Sequence, residues 1–151
     1  MHQCQVWLMH ELKTTEHHDA LLPAPLSQRC RDAMLACRTR PSRLQQSVGT
    51  TLAELCPGFE EEALEPSTGY SLDLALHSKC VAIEVDGPSH FLLAEHGRQV
   101  PSGQTLLKRR QLEAVGWRVL SVPYYEWGAQ VGREQQRAYL ERALRAIGLE
   151  L

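Results

Sequence analysis

The chain has 151 residues, of which 43% are hydrophobic and 23% are charged, and its formal net charge is −2. This length suffices for one domain with a proper core, and the composition excludes a largely disordered chain. The net charge excludes a strongly basic nucleic-acid-binding protein, so any contact with phosphates must come from local patches. Apolar stretches are only a few residues long, so we expect no membrane partner.

Residues 1–41 are predicted to form an N-terminal helical extension. A short helix is expected within residues 1–22 and a second over 27–40, with a proline-rich linker between them. We expect residues 1–60 to contact a protein partner. The first 28 residues contain one Lys or Arg, Lys13, so no transit peptide is expected in this chain. The five cysteines show no C-x-x-C spacing, which predicts reduced thiols and no zinc site.

A third helix is predicted from Pro41-Ser42 to Leu55, and the acidic stretch 59–64 fits either a strand or a helix. The next segments, 70–77 and 80–86, predict an antiparallel hairpin. If Leu76 pairs with Val81, all large apolar residues share one face and Asp73 lies opposite Glu84. Alternation along the strand puts Asp86 on the same face as Glu84. Such a cluster of like charges predicts a bound cation, a raised pKa or a basic neighbour.

The remaining elements follow the hairpin in a strand–helix–strand order. Residues 87–102 are predicted to form a long loop, followed by a helix over 104–115 that ends at Gly116. A third strand is expected over 117–122 and a last helix over 132–147. The crossover should place the third strand parallel to residues 80–86. The predicted fold class is α/β, a small mixed β-sheet flanked by helices.

Several blocks of the sequence resemble a RAP domain. They are Gly69–Asp73, Ile83–Phe91, Gly103–Arg110, Gly116–Val119 and Val122–Trp127. The resemblance is strong over 69–127 and extends over 42–147, and we assign the RAP domain to residues 42–151. RAP domains are usually found at the C-terminus of organellar RNA-metabolism proteins, including FAST-kinase-domain and octotricopeptide-repeat proteins. The resemblance therefore implies an RNA partner, single-stranded or ribosomal, and a location in a mitochondrion or chloroplast.

The RAP family is similar in fold to PD-(D/E)XK nucleases, the restriction-endonuclease-like fold, nearest to the very-short-patch-repair type. The resemblance implies a Mg²⁺ site formed by Asp73, Glu84 and Asp86. Asp86 stands where many active members carry the lysine of E-x-K. Lys108 on the next helix shares a stripe with Leu112 and Val115, so we expect it to face the acids. His90 is a candidate general base or phosphate contact, although a loop histidine bonded to backbone is an equal alternative.

Basic residues in the same region are candidates for RNA contact. These are Arg98, Lys108, Arg109 and Arg110, with Trp117, Tyr124, Tyr125 and Trp127 as aromatic surfaces, although Trp117 is assigned to the core.

Three functions follow from these observations. The first is an RNA-binding module of an organellar RNA-processing, translation or ribosome-associated protein. The second is a Mg²⁺-dependent endoribonuclease, and the third is a structural subunit of a ribonucleoprotein such as an organellar ribosome. The E-x-D pattern in place of E-x-K favours binding over cleavage.

Overall fold

The computed structural model describes residues 25–26, 28–29, 32–33 and 40–151. The chain divides into two compact units, residues 1–39 with 64–71, and residues 40–63 with 72–151. The helix predicted within 1–22 lies outside the described residues. Of the helix predicted over 27–40, the described residues Gln28, Arg29, Asp32 and Ala33 are helical and Arg40 is not. The other residues of this prediction lie outside the described ones.

The helices and strands that position the candidate site belong to the second unit, apart from the end residues Leu64 and Ser71, which are counted in the first. Helix α1 is Arg43–Leu55, and strands β1, β2 and β3 are Glu60–Leu64, Ser71–Leu76 and Val81–Asp86. Strands β4 and β5 are Phe91–Leu93 and Gln99–Pro101, helix α2 is Gly103–Ala114, and β6 is Arg118–Pro123. Two helices complete the unit, α3 at Tyr124–Gly128 and α4 at Arg133–Ala146. The ambiguous stretch at 59–64 is thus a strand.

The main sheet has the order β1-β2-β3-β6. Strands β2 and β3 are antiparallel with Leu74 opposite Ile83 and Leu76 opposite Val81, which confirms the predicted register. Strand β6 runs parallel to β3, with Val81 opposite Arg118 and Asp86 opposite Pro123, as predicted from the crossover. The mixed α/β architecture is therefore the predicted one.

The two faces of this sheet have different chemistry. One face packs against α1 and α4 in the main core, which contains Val48, Leu52, Leu74, Val81, Ile83, Val85, Leu120, Val122, Leu140 and Leu144. Alternation along β3 sends Glu84 and Asp86 to the opposite face, where Lys108 of α2 meets Glu84. The separation of apolar and acidic faces is the one that the sequence pattern predicts.

The prediction of an unstructured loop over 87–102 was wrong. This segment contains the two-stranded sheet of β4 and β5, in which Phe91 lies opposite Pro101 and Leu93 opposite Gln99. Each strand has only three residues, so neither shows an alternation long enough to be read from the sequence. Phe91 is buried and fixes one end of this hairpin.

Helix α2 begins and ends as its sequence predicts. The Ser102 hydroxyl accepts a hydrogen bond from the Thr105 amide at 3.3 Å, which caps the first turn. At the other end Gly116 has φ of +94°. Its amide donates to the Glu113 carbonyl and the Trp117 amide donates to the Leu112 carbonyl, both at 3.0 Å. This pair of bonds is a Schellman motif, which requires the left-handed conformation that glycine adopts without strain.

No helix among the described residues is long and apolar enough to cross a membrane.

Candidate functional site

The site lies where β3 ends, on the sheet face that α2 covers. Glu84 and Asp86 alternate onto this face, and both are buried, with relative exposures of 8% and 2%. The parallel register with β6 places Ser121 beside Glu84. Burial of two carboxylates is unfavourable unless hydrogen bonds or opposite charges compensate it, so their partners define what the site can do.

Both carboxylate oxygens of Asp86 have partners. The Ser121 hydroxyl donates to Oδ2, and Oδ1 lies 3.1 Å from Nδ1 of His90. A carboxylate that accepts a hydrogen bond from Nδ1 keeps the proton of the imidazole on that nitrogen. The other ring nitrogen, Nε2, is then the one that can accept or donate a proton elsewhere. In this arrangement Asp86 orients His90. The role of Asp86 as a metal ligand stays a prediction.

The main chain around His90 is also held in place. Its carbonyl accepts from the Ser102 amide at 2.8 Å and from the Thr105 hydroxyl at 3.2 Å, and its amide donates to the Gly87 carbonyl at 3.0 Å. The side chain is nevertheless 44% exposed. The hydrogen bond to Asp86 is the largest cause that raises the pKa of His90 above its usual range. His90 is thus a fixed imidazole that reaches solvent and carries more positive charge near neutral pH than an ordinary histidine.

Glu84 forms an ion pair with Lys108, whose ammonium donates to Oε2. The lysine side chain is 23% exposed and the glutamate side chain 10% exposed. Burial raises the pKa of Glu84 to about 7, against the lowering effect of the Lys108 charge. Among the described residues, Oε1 of Glu84 is buried without a hydrogen-bond partner. The sequence-based expectation that Lys108 faces the acids is confirmed.

Asp73 lies on the neighbouring strand β2, directly before Leu74, which pairs with Ile83 of β3. Its Oδ2 accepts the backbone amide of Val85 at 2.7 Å. Burial raises its pKa, and the nearby charges of Glu62 and Asp86 act in the same direction. The three predicted acids are therefore close enough to influence one another, as the hairpin register requires.

A metal ion held by the predicted acids stays a prediction. Within the part of the chain that the structure describes, no group of three or more His, Cys, Asp or Glu side chains is arranged to hold a metal ion. Because Asp86 is bonded to Ser121 and His90, the candidate ligands are Asp73 and Glu84. The Oε1 atom of Glu84, which has no hydrogen-bond partner among the described residues, is an oxygen acceptor of the kind that Mg²⁺ prefers. Mg²⁺ commonly takes one or two protein carboxylates and completes its shell with water and phosphate oxygens.

The predicted RNA-contact residues do not share one direction. Lys108 points to the sheet, whereas Arg110, two residues on and about 200° around the helix, is exposed to solvent. Arg109 is half-buried on the flank of α2, and Arg98 is exposed on the β4–β5 hairpin. Among the described residues, Arg98, Arg109 and Arg110 form no ion pair within 4.0 Å. These three arginines are thus among the basic residues that no ion pair of the described chain neutralises.

The aromatic candidates separate in the same way. Trp117 and Trp127 are 8% and 3% exposed and belong to the interior, which confirms the assignment of Trp117 to the core. Tyr124 is half-buried and Tyr125 is 39% exposed. Only the two tyrosines are therefore accessible for stacking.

Comparisons with known proteins agree with this picture. The RAP domain model matches residues 83–143. The chain carries a RAP domain. It is 36% identical over 103 residues to a chloroplastic RAP domain-containing protein of Oryza sativa subsp. japonica, which covers 68% of this chain and 15% of that protein. It is 33% identical over 75 residues to the mitochondrial FAST kinase domain-containing protein 3 of Rattus norvegicus, which covers 50% of this chain and 11% of that protein.

These matches confirm the family resemblance. They also bear on the cellular location and on the share of each relative's length that the chain covers. Both relatives are named as organellar proteins, one chloroplastic and one mitochondrial, in agreement with the expected location. The chain spans only a small part of the length of either relative. The matched RAP segment contains Glu84, Asp86, His90 and all four predicted RNA-contact residues, whereas Asp73 precedes it.

Sequence reasoning missed three polar residues of the site. Ser121 holds Asp86, Thr105 holds the His90 main chain, and Glu62 contributes negative charge near Asp73. Ser121 had a visible signal, because it is the single hydroxyl within the apolar run Val119–Val122. Thr105 and Glu62 had none, since their roles depend on contacts between distant segments.

Proposed function

We propose that this chain is an RNA-binding module of an organellar RNA-processing, translation or ribosome-associated protein. The observation that carries the proposal is the match of residues 83–143 to the RAP domain. That segment resembles domains of organellar RNA-metabolism proteins. It contains Arg98, Arg109 and Arg110, which form no ion pair with the described residues. The chain from His90 to Arg118 has five Lys and Arg residues against two Glu, although the whole chain is slightly acidic.

The binding mode follows from the position of these charges. Arg98, Arg109 and Arg110 can approach phosphates from solvent, whereas Lys108 is committed to Glu84. The buried acids would repel an RNA backbone brought close to them, so the RNA should pass along the outer side of α2 and the β4–β5 hairpin. Neutralising a few phosphates gives modest affinity with a log–log salt slope of about −0.7 per phosphate.

The test is charge reversal on α2 with a matched control. Arg109→Glu with Arg110→Glu should weaken binding to a labelled single-stranded RNA and make the salt slope shallower by about 1.4, because two phosphate contacts are lost. The control, Arg142→Glu with Arg145→Glu, makes the same change in net charge on exposed positions of α4, which packs on the opposite sheet face. Equal binding by both folded double variants would overturn the proposal.

A second function is favoured by one specific observation, the unpartnered Oε1 of Glu84 beside Asp73 and Lys108. We propose as the alternative a Mg²⁺-dependent endoribonuclease in which Asp73 and Glu84 would hold the metal. The metal, when bound, would supply a Lewis acid and an activated water. Asp86 would orient His90, and His90 would move a proton at Nε2 or contact the phosphate. The Lys108 ammonium would stabilise negative charge at the phosphate.

The two functions are separated by a cleavage assay on the purified chain with Mg²⁺ or EDTA. Cutting that requires Mg²⁺ and is lost in folded Asp73→Asn and Glu84→Gln variants would establish the enzyme. If no cleavage of varied RNAs occurs while RNA binding is intact, the alternative fails and the binding proposal stands. Cutting that survives either substitution would belong to a contaminant and would also count against the alternative.

A further inference from the structure

Three aromatic rings pack together beside the site, and one of them reaches solvent. The ring of Tyr125 meets Phe91 and Tyr124 edge to face, with centroids 5.3 and 5.4 Å away. Phe91 and Tyr124 also contact each other, with centroids 6.0 Å apart. We call these three residues the aromatic platform. Because two neighbouring rings hold Tyr125 in place, its exposed surface is presented at little cost in conformational entropy.

The platform adjoins the polar end of the sheet. Phe91 directly follows His90, and Tyr124 directly follows Pro123, the register partner of Asp86. Tyr125 contacts Phe91 directly, so its ring packs against the residue that follows His90 in the chain. The partly exposed Tyr125 is therefore packed against the segment that begins with His90.

The β4–β5 hairpin connects the platform to a positive charge. The side-chain amide of Gln99 donates to the Tyr124 hydroxyl at 3.1 Å, so the hairpin is tied to α3. The same hairpin exposes Leu92 and Leu93, at 61% and 74%, and carries the exposed Arg98, whose carbonyl accepts from the Ala94 amide at 2.9 Å. The hairpin that contacts Tyr124 through Gln99 therefore also carries an exposed cation, Arg98.

We propose that the exposed face of Tyr125 is a stacking site for one unpaired nucleobase of single-stranded RNA, with Arg98 on the adjoining phosphate. This inference rests on the proposed RNA-binding function and adds a base-contact site to it. A nucleobase is the occupant that the surface fits best, because it combines a flat π-surface for Tyr125 with an anionic backbone for Arg98. Stacking on an aromatic side chain tolerates any base, so this site adds affinity and requires no sequence preference.

The test measures binding of labelled eight-nucleotide single-stranded RNAs, either intact or abasic at every position. Tyr125→Ala should weaken binding to intact RNA by about 5- to 100-fold, and Tyr125→Leu, which keeps an apolar side chain without the ring, should do nearly the same. Tyr125→Phe should bind as the unchanged chain does. Val131→Ala, at a position 78% exposed, is the control for a surface truncation.

The abasic strand shows whether a base is the occupant. The unchanged chain should bind it more weakly than intact RNA, whereas Tyr125→Ala should bind both strands equally, because the missing bases and the missing ring belong to one contact. Normal binding by Tyr125→Ala, together with weakened binding by the Arg109 and Arg110 double reversal, would overturn the stacking site and leave the RNA-binding function standing. Normal binding by both would overturn both. Equal binding of the intact and the abasic strand by the unchanged chain would also overturn the stacking site.

Discussion

Replacing Lys108 with methionine removes the ammonium from the Glu84 ion pair and keeps the length of the side chain. Burial raises the pKa of Glu84 to about 7 even with Lys108 present, so loss of the lysine should raise it further. At pH 5.5 the glutamate is mostly protonated in both proteins, and the substitution should have little effect on the free energy of unfolding. At pH 8 it is paired and charged in the unchanged chain but must bind a proton in the variant.

The size of this loss follows from proton uptake. Removal of one partner of a buried pair can cost about 3–5 kcal/mol when the other stays charged. Here Glu84 escapes by protonation, which limits the added cost to about 1.4 kcal/mol for each pH unit above its pKa in the unchanged chain. We therefore expect a loss of about 1–2 kcal/mol at pH 8.

The assay is urea unfolding at pH 5.5 and pH 8, followed by the fluorescence of the buried Trp117 and Trp127. The sign is fixed by the raised pKa of Glu84, because the folded state holds a proton that the unfolded state has released, so stability falls as pH rises towards 7. The Lys108→Met, Glu84→Gln double variant should lose this dependence on pH. An equal loss at both pH values in Lys108→Met would refute the reasoning.

Three further predictions concern stability and are checked by urea unfolding. Arg118→Ala should cost about 1–2 kcal/mol, because the guanidinium donates to the carbonyls of Ile147, Gly148 and Lys79 at 2.9, 2.8 and 3.0 Å; an unchanged midpoint would contradict this. Ser102→Ala should cost about 1 kcal/mol through loss of the α2 cap, and Ser102→Gly should cost less. Burial acts to raise the pKa of Glu65, but hydrogen bonds from Thr68 and Ser67 outweigh it and hold the pKa below its usual range. Glu65 should therefore contribute to the free energy of unfolding at neutral pH, and this contribution should be lost as the pH falls through its lowered pKa. The Glu65→Gln variant should show no such loss of stability at acidic pH.

The parts of the fold that were predicted from the sequence are those with a long periodic signal. The register of β2 and β3 followed from requiring Leu74 and Ile83 on one face, because a slip by one residue would have put acids into the core. The direction of Lys108 followed from its helical stripe with Leu112, which is fully buried. Both arguments use only the geometry of one helix or one hairpin.

The rest depends on contacts between distant segments. The β4–β5 hairpin has strands too short for a readable pattern, and its position depends on Phe91 packing with Tyr124 and Tyr125. The role of Ser121 requires the β3–β6 register, which the sequence does not specify because both strands are mostly apolar. Asp86 was predicted as a metal ligand from its position in the motif, whereas its hydrogen bonds to Ser121 and His90 emerge only from the folded chain.

The most direct test of the RNA-binding function is the salt dependence of binding by the unchanged chain. Fluorescence anisotropy with a labelled single-stranded RNA, titrated in EDTA from low to physiological salt, gives the number of phosphates that the protein neutralises. Contacts from Arg98, Arg109 and Arg110 predict a log–log slope of about −2, from roughly 0.7 for each of three phosphates. Absence of binding at low salt, or binding with a slope near zero, would contradict the proposed function.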